Sequence, residues 1–123
     1  MKIYYWCPFI SKVATVKAVI NSIDSIKKFS KKQIDIKIID AFGEWSEHKK
    51  KLDKLDVDCI KLQNIDLGKF LPLGNYLKSR ISYIIIFIFS ILKLHKVIKN
   101  DNPKYLICHL ITSLPLFLLV LFN

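Results

Sequence analysis

Hydrophobic positions along this chain switch between two spacings. Residues 3–7, Ile3-Tyr4-Tyr5-Trp6-Cys7, are apolar without interruption and stop at Pro8, as in a strand buried on both faces. Over residues 13–29 apolar side chains recur at Val16, Val19, Ile20, Ile23 and Ile26, with Lys17, Asp24, Lys27 and Lys28 between them. That period is helical, with one wet face. Residues 34–40 alternate and then become wholly apolar, predicting a second strand, and Ala41-Phe42-Gly43 turns the chain. Residues 45–55 read as a short charged helix and residues 57–62 as a third strand. The stretch 63–75 is irregular, punctuated by Gly68, Pro72 and Gly74, and is expected as an excursion above the sheet. A long apolar helix follows over residues 76–99, closed by Asn100-Asp101-Asn102-Pro103. Residues 105–109 then predict a fourth strand and residues 114–122 a last helix.

Strands that alternate with helices pair in parallel through right-handed crossovers. The predicted fold class is α/β: a Rossmann-like open parallel sheet of about four strands, order 3-2-1-4, with helices on both faces. A single domain over residues 1–123 accounts for the whole pattern. Chain order reverses between strands one and four, and open α/β sheets bind ligands at such a reversal, beyond the carboxyl ends of the strands. Residues 8–15 and 109–113 are therefore expected to meet at one crevice.

The tract Pro103-Lys104-Tyr105-Leu106-Ile107-Cys108-His109-Leu110-Ile111-Thr112-Ser113-Leu114-Pro115 has the grammar of strand, polar turn and helix. It brings His109, Thr112 and Ser113 to the strand's carboxyl end. There an imidazole can hydrogen-bond a sugar hydroxyl or move a proton, or it can serve as a half-buried ring bonded to backbone. Ser11, Lys12 and Thr15 lie at the start of the first helix, where free amides favour an anion or polar ligand. Simple capping by Ser11 accounts for the same residues. The loop 8–15 has no glycine, so the fingerprint that lets backbone approach a dinucleotide pyrophosphate is missing, and no P-loop pattern occurs. Asp40 reads as a turn residue, and Glu44 with Glu47 as acids on one side of a helix's first turn. His48 and His95, in lysine-rich helices, are expected in solvent.

Composition narrows the class further. The chain is 52% hydrophobic with only three glycines, which excludes disorder. Its net charge of +10 comes almost wholly from lysine, since Arg80 is the only arginine. Base reading favours arginine forks, so nucleic acid is not an expected partner. Spread lysines suit an anionic membrane surface or plainly solvated faces. In particular, Lys78, Arg80, Lys93, Lys96 and Lys99 flank the apolar helix, which points to peripheral contact with an anionic membrane. Cys7, Cys59 and Cys108 are odd in number and far apart, without metal-ligand spacing, and are expected as buried reduced thiols; no metal site is predicted. The N-terminus lacks the apolar length and cleavage site of an export signal, and a cytoplasmic location is expected. Residues 105–122 are 18 uncharged positions, near the roughly 20 that cross a bilayer. A small basic membrane protein with a spanning helix there is the rival reading.

With these residues in view, the chain resembles the N-terminal half of GT-B-fold glycosyltransferases of the large family-four class, over essentially its whole length. The resemblance rests on Met1-Lys2-Ile3-Tyr4-Tyr5-Trp6-Cys7-Pro8, the first long helix, and Pro103-Lys104-Tyr105-Leu106-Ile107-Cys108-His109. In that family the fourth strand commonly begins Pro-Asp and ends in a histidine beside the acceptor. His109 falls on that position, whereas Lys104 replaces the usual acid and residues 9–15 lack the usual Gly-Gly pair. The resemblance implies retaining transfer of a sugar from a nucleotide-sugar donor to a cell-envelope glycan or lipid-linked acceptor at the inner membrane face. It implies no cofactor beyond that donor, which would bind a second domain, carrying a Glu-x7-Glu motif, that these 123 residues do not contain. The chain then resembles a truncated or a split acceptor-side half, and in the split case a separate donor-binding chain is the expected partner. Taken alone, such an acceptor-side half is expected to be inactive, with His109 as its catalytic candidate and Ser11, Lys12, Thr15, Thr112 and Ser113 as acceptor contacts.

Overall fold

The computed structural model describes residues 1–10, 14–64, 67–72 and 74–108 of the chain. Strand β1 (Lys2–Trp6) leads into helix α1 (Ala14–Phe29) and strand β2 (Asp35–Asp40). A 3₁₀ turn (Ser46–His48) runs into helix α2 (Lys49–Lys54), followed by strand β3 (Asp58–Lys61) and a second 3₁₀ turn (Leu67–Phe70). Helix α3 (Tyr76–Asp101) and strand β4 (Tyr105–Cys108) complete the described chain. The four strands form one sheet, β3-β2-β1-β4, parallel at every pairing. This is the predicted Rossmann-like order, with chain order reversing between β1 and β4. Because Tyr105–Cys108 pairs with β1 as a strand, these residues do not begin a spanning helix. The predicted helix 114–122 lies outside the described residues.

The two sheet faces follow from the period of two in β1. Ile3, Tyr5 and Cys7 pack with Val16, Val19 and Ile23 of α1 and Leu52 of α2. Tyr4 and Trp6 pack on the other face with Leu94 of α3. A central strand covered on both sides has no polar alternation to show, which is why β1 reads as one apolar run. β3 is the edge, exposed along most of its length and carrying Asp58 and Lys61, charges that discourage pairing with another chain. Its position corrects one expectation about the thiols. Cys7 is buried and Cys108 half-buried, but Cys59 is exposed on this one-sided strand.

Hydrogen bonds fix α3 at both ends and along its side. Tyr4, buried in β1, donates through Oη to Asp101 Oδ2 at 2.6 Å. Burial, followed by that bond and the Asp101 charge, holds the phenol well above its ordinary pKa. Asn102 closes the helix in the left-handed region (φ 45°), its N–H returning to the Ile98 carbonyl. Ser82 Oγ donates to the Pro72 carbonyl at 2.6 Å, and Gln63 Nε2 to the Phe89 carbonyl at 2.8 Å, so the excursion is tied to α3 at two points. Tyr4→Phe is expected to lower unfolding free energy by about 1.5–3 kcal/mol, the range for a hydrogen bond to a charged group. Urea denaturation followed by circular dichroism measures it; an unchanged midpoint would remove this bond from the account of α3.

Candidate functional site

The β1–β4 reversal forms as expected. Trp6 and Cys108 are the last paired residues, and Cys7 Sγ lies 3.7 Å from the Ile107 carbonyl just beyond. Pro8 and Phe9 continue from β1 as buried residues. Thr15, the second residue of α1, is half-buried. Ser11, Lys12, His109, Thr112 and Ser113 lie outside the described residues. Burial pushes the Cys108 thiol up to about 11, so it remains protonated near neutral pH and is no nucleophile there.

The exit of β2 is more elaborate than the sequence foretold. Asp40, only 1% exposed, accepts the Gly43 N–H on Oδ1 at 2.7 Å. Gly43 has φ 104°, a conformation that a β-carbon would strain. Glu44 then bends back over the turn, accepting the Ala41 N–H on Oε1 at 3.0 Å and the Phe42 N–H on Oε2 at 2.9 Å. Glu44 and Glu47 therefore do not share a helix's first turn; Glu44 precedes the 3₁₀ turn and satisfies the loop's own amides. Burial lifts the Glu44 carboxyl well above the usual range, and the hydrogen bond and charge of Asp40 add to this, outweighing the two amides that favour ionisation. Asp40 Oδ2 is buried with no other hydrogen-bond partner among the described residues. The only hint in the sequence was an Asp three residues before Gly, which marks a side-chain-closed turn but not the returning acid.

Between the exits of β1 and β2 lies a cavity of about 320 Å³. Phe9 and Phe42 give it aromatic walls, Glu44, Ser46 and Glu47 a polar side, and Gly68, Lys69 and Leu71 of the excursion its cover. The described part of the excursion thus lines this cavity through Gly68, Lys69 and Leu71. Beneath it, Trp45 is buried and meets Phe9 edge to face at 5.1 Å and 89°. His48 is half-buried against the same pair, 5.9 Å from Phe9 and 6.1 Å from Trp45, which corrects its placement in solvent. Aromatic walls with a few acids and a lysine suit a small polar molecule that has one apolar face. His95 is exposed on α3, as expected. Among the described residues, no group of three or more His, Cys, Asp and Glu side chains is placed to hold a metal ion.

Comparison with known proteins finds no family model that matches the chain and no significant match among curated proteins or solved structures.

Proposed function

We propose that this chain is the acceptor-side domain of a retaining glycosyltransferase, half of a GT-B fold. The reading is supported above all by the parallel order 3-2-1-4, which brings the carboxyl end of β4 at Cys108 beside that of β1 at Trp6. The sequence likeness described above, in β1 and in the tract ending at His109, supplies the family. A sugar carried on a nucleotide would be held by a second Rossmann-like unit outside these residues. In the reaction the bond from the anomeric carbon to the phosphate oxygen breaks and a bond to an acceptor oxygen forms on the same face. The nucleotide leaves with the electron pair on that phosphate oxygen, which takes up the proton of the acceptor hydroxyl. His109 would hydrogen-bond the sugar at the reacting end, while Ser11, Lys12, Thr15, Thr112 and Ser113 orient a cell-envelope glycan or lipid-linked acceptor. The cavity between Phe9 and Phe42 is large enough for part of such a glycan. The protein would work in the cytoplasm, at the inner face of the plasma membrane.

His109→Ala, assayed with the donor-binding unit supplied, is expected to cut turnover about 10- to 100-fold, the loss of one or two substrate hydrogen bonds. Its melting temperature should stay that of the parent. Unchanged kinetics would remove His109 from the site. The reading as a whole fails if neither the sequence following residue 123 nor a neighbouring gene encodes a second Rossmann-like unit.

A further inference from the structure

Helix α3 is apolar on two opposite faces. One carries Ile86 and Leu94 and the hydroxyl residues Ser82 and Ser90, all buried. Opposite them run Leu77, Ile81, Ile84, Ile88 and Leu92, between 44% and 80% exposed, with Phe89 beside them at 58%. Their spacing of four, three, four and four residues keeps them on one stripe, about 22 Å long at a rise of about 1.5 Å per residue. A helix lying on a sheet ordinarily turns charge outward there. Here the charges beside the stripe sit at the two ends, Lys78 at the start and Lys96 and Lys99 at the finish, all exposed, while Lys93 donates to Gln63 Oε1 at 2.6 Å. No acidic residue occurs between Asp66 and Asp101.

We propose that this stripe docks on an anionic membrane surface. The helix lies parallel to the bilayer, its apolar side chains enter the boundary between headgroups and acyl chains, and the terminal lysines meet lipid phosphates. Charge decides among the possible occupants. Residues 110–122 of this chain are uncharged and bring no acid to Lys78, Lys96 and Lys99. A second copy would bring two purely cationic borders together. An anionic bilayer answers both the apolar stripe and its ends. Lying is favoured over crossing by the opposite face. Leu77–Asp101 is long and apolar enough to span, yet Tyr4, Trp6 and Ile39 use this helix as their cover, and crossing would strip it away. The inference does not depend on the transferase reading and holds for any chemistry at the cleft.

Flotation of the whole chain with vesicles tests it. Binding to mixed phosphatidylglycerol–phosphatidylcholine vesicles is expected, at least about tenfold tighter than to phosphatidylcholine alone and weakened by salt. The double variant Ile84→Glu, Ile88→Glu replaces exposed side chains only, so its melting temperature should match the parent while vesicle binding is lost. Ile88→Trp provides a second readout, its emission shifting to the blue with anionic vesicles. Parent and glutamate variant binding alike would overturn the proposal. So would retention in membranes after carbonate extraction, which indicates a spanning helix, or a dimer in sedimentation that the glutamate variant abolishes.

Discussion

Trp45→Ala is expected to cost about 3–5 kcal/mol of unfolding free energy, the range for emptying a buried aromatic site. Native domains hold only about 5–15 kcal/mol in total, so this single change removes a large part of the margin. The side chain is 1% exposed and belongs to the core layer containing Leu52 and Val57. It also props Phe9, which walls the cavity between β1 and β2, through the edge-to-face contact at 5.1 Å. The damage should therefore reach the cleft as well as the core. Trp45→Phe is expected to recover much of the loss, because the Trp45 indole Nε1 is buried with no hydrogen-bond partner among the described residues and phenylalanine removes it. Urea unfolding followed by circular dichroism measures both variants. A loss below about 1 kcal/mol for alanine would mean that Trp45 does not anchor this layer.

The second large effect is a dependence on pH. Glu44 has a carboxyl raised in the folded state by burial and by Asp40. Below the unfolded carboxyl pKa, about 4.3, both states carry the proton and the pair imposes no penalty. As pH rises the unfolded chain ionises first, and stability is lost until the folded carboxyl also ionises, after which the loss levels off. The amide that a Glu44→Gln variant carries instead cannot ionise. The stability of this variant relative to the parent should therefore climb by about 1.4 kcal/mol per pH unit through that window. At acid pH it should be slightly the weaker protein, by about 1 kcal/mol, since an amide offers one acceptor oxygen to the two N–H groups of Ala41 and Phe42. Denaturation curves at several pH values check this. Two stability profiles that run parallel from acid to neutral pH would show that the Glu44 carboxyl titrates alike in the folded and unfolded chains.

Much of the architecture was legible because burial leaves a periodic trace. The unbroken run in β1, the helical spacing of Val16, Val19 and Ile23, and the stop at Asn102 each fixed an element from its own residues. Handedness of the crossovers then left few strand orders to choose from, and 3-2-1-4 was the one that formed. The spacing over 45–55 predicts one helix, but the segment divides into a 3₁₀ turn and the short α2. His48, at that junction, is drawn onto Phe9 and Trp45 instead of standing in solvent.

Residue spacing thus determined which segments are strands and helices, that the strands run parallel, and where the chain reverses direction, because each follows from how one element divides water from core. Only the tertiary structure decided that Glu44 returns to Asp40, that Cys59 lies on an uncovered edge, and which side of the apolar α3 faces outward. Those features depend on what a neighbouring element covers or leaves bare, and no repeat within a single segment carries that information.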